Sequence, residues 1–381
     1  MLKLKSMDRG IRTWIELDKK ALFHNLETFL GLIGAKAKFM AVIKSNAYGH
    51  GLVATAKTFM GDKEFQKLGW FGVDSIVEGM RLRKEGISIP IHILGMTLPS
   101  RIIDAARNNI SITISNFEAL DYFFKSLQKP KFHLKVDTGM HRQGFLFEDI
   151  SRLILALKKR KLAPQGIYTH FSAAKDPSCP AYTLGQLKLF LAIDKKFKQA
   201  GFGNYIRHAS ATGGTLLMPK AHLDMVRVGI GLYGYWPSDE LKIKNENKKI
   251  DLKPVLQWKT IVGEIKKIPS GSFVGYDLTE RVSRLTTIAV LPIGYWHGFD
   301  RGLSGIGEVL VGGRRRKVLG RVSMDMVVVD ITEKPKVRVG DEVVLIGGQG
   351  REFIWADEIA LKIDTSQYEF LTRLNPLMKR V

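Results

Sequence analysis

The chain is nearly without cysteine. A single one, Cys179, in 381 residues allows no internal disulfide and no cysteine-built metal cluster. It stands beside Pro180 in loop-like text, where an incidental residue is the expected reading rather than a reactive thiol. Long apolar runs are missing too. The longest, Ala21 to Ile43, is broken by His24, Asn25, Glu27, Lys36 and Lys38, so no run approaches the roughly 18 uncharged apolar residues that a membrane span needs. The start, MLKLKSMDRG, is basic but runs into polar residues with no apolar stretch behind it, so no secretory leader is expected. The expected setting is the cytoplasm, with no membrane partner. Acidic residues are scarce, 37 against 59 Lys and Arg, which leaves a net charge of +22. Such an excess attracts anions. The basic residues are scattered, however, and no nucleic-acid-binding signature accompanies them, so a solvated basic surface is expected and a nucleic-acid partner is not.

What the chain does contain is ordinary globular text, 45% hydrophobic and 25% charged, long enough for two domains. Short apolar, β-branched runs recur at Phe39–Ile43, Trp70–Val73, Ile91–Leu94, Ile112–Ile114, Phe132–Val136, Gly166–Thr169, Tyr205–Arg207 and Met225–Val228. Between them lie segments with apolar residues three or four apart, such as Ile150-Leu153-Ile154-Leu157. A strand followed by a helix, repeated eight times, predicts an α/β fold, a (β/α)8 barrel, over about residues 11–240. Residues 238–253 are polar and read as a linker. Beyond it, residues 255–381 predict a C-terminal, predominantly β domain, with strands expected at Leu256–Ile265, Ser272–Tyr276, Leu285–Leu291, Glu308–Val311, Lys317–Leu319, Met326–Ile331 and Glu342–Ile346. One helix is expected at about Ile354–Ile363. The basic run Arg314–Lys317 reads as a hairpin turn after Gly312-Gly313.

In such a barrel the chemistry gathers at the carboxyl ends of the strands, where the loops converge. The first strand ends in Lys44, whose amine, if stripped of water at the barrel mouth, becomes a nucleophile or base. The fifth ends in a glycine-bearing loop with Arg142, the sixth at His170, the seventh in His208-Ala209-Ser210-Ala211, and the eighth in Arg227-Val228-Gly229-Ile230-Gly231. Small hydroxyls and glycines after the last two strands suit a phosphate group. A lysine facing a phosphate site is the arrangement of an enzyme that holds pyridoxal phosphate as a Schiff base. No metal ligands are expected.

The run AVIKSNAYGHG, the loop KVDTGMHRQG, Thr169-His170, HASA, VRVGIGLYG, VGY, PIGYWHG, GRVSMDM and TSQYEFLTRL together resemble the alanine racemase family, fold-type III enzymes that use pyridoxal 5'-phosphate. They follow the family's order over about residues 11–378. The resemblance implies interconversion of L- and D-alanine by two bases, Lys44, which also carries the cofactor, and Tyr276. It implies phosphate binding by Tyr48, Ser210, Gly229, Ile230 and Tyr368. Arg227 matches the arginine facing the pyridine nitrogen, and His170 matches the histidine that links it to the tyrosine base. Arg142 matches the residue that meets the substrate carboxylate, while Met324 and Tyr295 match residues lining the pocket and its entrance. It further implies a homodimer in which Tyr276, Tyr295 and Met324 come from the partner subunit, and a role in supplying D-alanine for peptidoglycan.

An arginine can only donate to the ring nitrogen, which implies a weaker electron sink than an aspartate would give. The chain departs from the family's usual pattern at His141 and Gln143, which flank Arg142, and at Ala209 before Ser210. Lys135 matches a position that carries a carbamate in some members. The alternatives are a broad-specificity or serine racemase of the same fold, since an extra hydroxyl is poorly rejected by a small apolar pocket, and a non-catalytic carrier of the cofactor. Residues 255–381, with Tyr276, argue against the carrier.

Overall fold

The computed structural model describes residues 10–34, 37–178, 180–248, 250–333 and 336–381. Cys179 lies outside them. The chain forms two units. One holds Lys20–Ala47 and Leu52–Lys253, and the other holds the segment before Lys20 together with Tyr48–Gly51 and Pro254–Val381.

The first unit is an eight-stranded, all-parallel, nearly closed barrel. After β1 (Thr13–Leu17), which belongs elsewhere, its strands are β2 (Lys38–Val42), β3 (Gly69–Val73), β4 (Ile91–Ile93), β5 (Ile110–Ile114), β6 (Phe132–Lys135), β7 (Gly166–Tyr168), β8 (Ile206–His208) and β9 (Met225–Val228). They lie side by side in chain order from β2 to β8, and β9 pairs back onto β2. The seam between β8 and β9 is crossed by backbone bonds from Asp224 N–H to the Arg207 carbonyl (3.1 Å) and from Arg227 N–H to the Ser210 carbonyl (2.9 Å). All five residues of β3 and of β5 are buried, as expected of strands covered on both faces, which is why they read as continuous apolar runs. The helices cover the outside. In Ile150–Lys159 the residues Ile150, Leu153, Ile154 and Leu157 are buried, each burial contributing about 1.5–3 kcal/mol.

The second unit is a mostly β body. Its strands are β10 (Leu256–Ile261), β11 (Glu264–Ile268), β12 (Thr286–Leu291), β13 (Glu308–Val311), β14 (Arg314–Leu319), β15 (Val327–Asp330), β16 (Glu342–Gln349), β17 (Glu352–Ile354) and β18 (Lys379–Arg380), with a helix at Ala356–Lys362. β1 joins this sheet, antiparallel to β10, so the barrel's own chain starts after it and not at residue 11. Gly312 and Gly313, at φ +62° and +76°, close the two-residue turn between β13 and β14, a geometry that needs left-handed backbone at both positions, so Arg314–Lys317 is strand and not the expected turn.

Three further expectations fail here. The run Leu256–Ile265 is two strands, since the chain leaves β10 at Val262-Gly263 and pairs next with β12 instead of β16. Ser272–Tyr276 is not a strand: one isolated bridge, Phe273 to Arg281, precedes a short 3-10 turn at Tyr276–Leu278. Its cause is Gly275 at φ +76°, which turns the backbone out of extended geometry. The supposed linker contains a helix, Asp239–Asn245, capped by the Ser238 side chain and anchored by buried Leu241 and Asn245. Among the described residues no helix is long and apolar enough to cross a membrane, and no group of three or more His, Cys, Asp or Glu could hold a metal ion.

Candidate active site

Lys44 follows β2 at the carboxyl end of the barrel. Its amine is not stripped of water as expected. The side chain is 38% exposed, and Nζ lies 3.2 Å from Asp74 Oδ1. Asp74 stands in the loop after β3, and its own backbone N–H donates to Glu78 Oε2 at 2.8 Å. The other oxygen of Glu78 accepts from Asn46 N–H at 3.3 Å. One carboxylate thus ties the lysine's counter-ion to the loop that follows the lysine. Neither Asp74 nor Glu78 is conspicuous in the sequence, because neither adjoins a recognisable motif.

That loop is strained. Ser45, Asn46, Ala47 and Tyr48 all have φ between +52° and +55°, a left-handed turn of four non-glycine residues costing about 1–2 kcal/mol each. Bonds from Ala47 N–H to the Ile43 carbonyl (2.8 Å) and from Leu52 N–H to Asn46 Oδ1 (2.9 Å) hold it. Strain kept by surrounding contacts clusters at functional sites.

Arg227 sits on β9, next to β2, and is 2% exposed. Its guanidinium donates to the carbonyls of Thr169 (2.8 Å) and Ala209 (2.9 Å), to His208 Nδ1 (2.8 Å) and to His170 Nδ1 (3.3 Å). Burial pulls its basicity down to about 10, still a cation at neutral pH. Because guanidinium only donates, His208 accepts at Nδ1, carries its proton on Nε2 and passes it toward His133 Nδ1, 2.8 Å away. His92, His133 and His208, from alternate strands, fill the barrel where branched apolar residues are usual. Burial keeps all three neutral, His133 down to about 3, and Arg227 adds to the effect. His170 is likewise pushed well below its ordinary value by burial and then by Arg227 and Arg142. Lys135, 6% exposed, is lowered to about 8 by burial and then by Arg142 and Arg227, and its amine donates to Gln143 Oε1 at 3.1 Å.

Ser210 is fully buried and its hydroxyl donates to the Ala221 carbonyl at 2.8 Å, which leaves its lone pairs for other donors. The N–H groups of Gly229 (3.2 Å) and Gly231 (3.4 Å) both reach Thr212 Oγ1. Thr212, buried at the same rim beside Ile230, was missed because a lone threonine after HASA carries no motif signal. Lys44, Lys135, Arg142, His170, Ser210, Arg227, Gly229 and Ile230 therefore all belong to the barrel unit.

The remaining residues belong to the other unit. The rings of Tyr48 and Tyr368 lie 6.3 Å apart, and burial, then Tyr48, raises the Tyr368 phenol above its ordinary value. Gly49 must be glycine, for a Cβ there would meet the Leu371 carbonyl oxygen at 2.0 Å. Tyr295 N–H donates to Ser323 O, and Trp296 N–H to Met324 O, both at 3.0 Å, so Tyr295 and Met324 stand on adjoining segments. Tyr276 is 68% exposed, Met324 54% and Tyr295 44%.

Lys44, just beyond β2, and buried Arg227 on the adjacent β9 stand in a (β/α)8 barrel followed by a mostly β domain, an architecture shared with two-domain amino-acid racemases. The sequence profile of the alanine racemase N-terminal domain matches residues 17–237, and that of the alanine racemase C-terminal domain matches residues 255–381. The chain belongs to the alanine racemase family. An alanine racemase of Leptospira interrogans serovar Lai is 36% identical over 99% of this chain and 97% of its own. One from Halothermothrix orenii is 38% identical over 97% and 96%. The solved alanine racemase of Clostridium difficile 630 superposes with a TM-score of 0.89 at 33% identity, covering 97% of this chain and 95% of that one. The Bacillus anthracis enzyme, solved with bound L-Ala-P, also gives 0.89 at 31% identity, with the same coverage.

Proposed function

We propose that the chain is an alanine racemase that interconverts L- and D-alanine with pyridoxal 5'-phosphate, using Lys44 and Tyr276 as its two bases. The observation that carries this reading is the placement of Lys44 and Arg227 at one end of adjacent strands in a chain matched by both family domains in order. The donor set suits the cofactor. Lys44 offers an accessible amine for an aldehyde, and Arg227 is a fixed cation that can only donate to an unprotonated ring nitrogen. Ser210, with lone pairs to spare, and the rim at Gly229 and Ile230 would take the phosphate with Tyr48 and Tyr368. When bound, the cofactor supplies an electron sink that makes the α-proton of the amino acid removable.

The protein's part is to hold protons on two sides. Lys44 Nζ takes or returns the proton on one face and the Tyr276 hydroxyl on the other. Arg142 binds the substrate carboxylate, and His170, neutral and bonded to Arg227, relays that arginine's charge toward the phenol. Met324 and Tyr295 narrow the pocket to a small side chain. The exposure of Tyr276, Tyr295 and Met324 supports a homodimer in which they enter the partner's barrel mouth. A cytoplasmic source of D-alanine for peptidoglycan is the biological role that accompanies this reading. The test is D-alanine formation from L-alanine by the purified, cofactor-loaded protein, run beside L-serine and L-lysine. Alanine should be turned over fastest. Lysine or serine well above alanine overturns the substrate assignment.

A further inference from the structure

The loop that carries Arg142 is built around one carboxylate. It opens and closes at a bridge between Val136 and Phe145, with Asp137 N–H on the Phe145 carbonyl and Phe145 N–H on the Lys135 carbonyl, each at 2.9 Å. Inside this lasso, Asp137 Oδ1 accepts the N–H groups of Gly139 (2.8 Å), Met140 (2.9 Å) and His141 (3.1 Å), while Oδ2 accepts that of Arg142 (3.1 Å). Asp137 is 6% exposed. Four consecutive backbone donors converging on one buried anion satisfy it without any cation. From outside, the Tyr182 hydroxyl donates to the Gly139 carbonyl at 2.6 Å. Two glycines are required. Gly139 sits at φ +125°, with room for a Cβ only by pushing Tyr182 Oη, 2.8 Å away, and a Cβ on Gly144 would strike Asp137 N at 2.6 Å.

We propose that Asp137 is a positioning residue for the substrate carboxylate: it fixes the backbone of Arg142, and through it the guanidinium, at the barrel mouth. Tyr182 secures the same loop from the outside. The inference rests on the proposed racemase activity, in which Arg142 meets that carboxylate. Asp137→Asn is the sharp perturbation. The amide keeps an oxygen for Gly139, Met140 and His141 but turns an NH2 group on the Arg142 N–H, so the arginine's own tether is the one lost.

The experiment compares wild type, Asp137→Asn, Arg142→Ala and the double variant, all cofactor-loaded, for KM and kcat with L-alanine and for trypsin cleavage after Arg142. Asp137→Asn should raise KM about tenfold to a hundredfold with a smaller change in kcat, the scale on which a misplaced group costs rate. It should add nothing further to kcat/KM in the Arg142→Ala background, and it should speed the tryptic cut. An equal loss in both backgrounds, or an unchanged KM, overturns the proposal. If Asp137→Asn fails to fold, Tyr182→Phe makes the same comparison with a smaller KM rise, and no rise with that variant counts against the proposal. Wild type inactive on alanine would sink the racemase reading instead, and the tryptic comparison would still decide whether Asp137 pins the loop.

Discussion

Lowering the pH from 7 to 5 should weaken this protein through the inside of its barrel. His92, His133 and His208 are fully buried and held neutral, chiefly by burial, below the ordinary 6.5, with His133 at about 3. The unfolded chain has ordinary histidines and binds protons first as the pH falls. Stability is therefore full above about 6.5 and is lost as the pH drops below it, continuing for His133 down to about 3. Between pH 7 and 5 His133, at about 3, costs about 1.9 kcal/mol against an unfolded value of about 6.5, a sizeable part of the usual 5–15 kcal/mol, and His92 and His208 act in the same direction. Urea unfolding at pH 7, 6 and 5, at one protein and cofactor concentration, reads the slope. His133→Gln, which keeps an acceptor for His208, should make that slope shallower. A stability that stays flat from pH 7 to 5, or an unchanged slope in His133→Gln, would refute the assignment of neutral histidines to the barrel interior.

Tyr276→Phe should cut racemisation by about 10²–10⁴-fold, the ordinary weight of a general acid or base, while leaving the protein folded, since only one hydroxyl is lost. An active Tyr276→Phe enzyme would remove the second base. Ser45→Gly should stabilise by about 1 kcal/mol, since Ser45 is exposed at φ +54° and glycine carries no penalty there; a lower urea midpoint would contradict the strain described for the turn after Lys44.

The barrel was legible because most of its strands are buried on both faces and spell themselves as short apolar runs, although His92, His133, His208 and Arg227 interrupt them. The second body was harder. Val274-Gly275-Tyr276 alternates like a strand, but Gly275 takes a positive φ and the chain turns. Ser238 to Asn245 looks like linker because its helix buries few residues. β1 pairs with β10 across well over half the chain, a contact that no local pattern encodes. Among site residues, Lys44 and Arg227 stand at strand ends and announce themselves. Asp74, Glu78, Thr212 and the His133–His208 pair act only through neighbours that folding brings alongside them.

The central claim is that one particular amine holds the cofactor. Borohydride reduction of the protein loaded with pyridoxal 5'-phosphate, followed by peptide mapping, reads this directly. The label should fall on Lys44 alone and vanish in Lys44→Ala. A label on Lys135, the buried lysine lowered to about 8, or no label on any lysine, would contradict it.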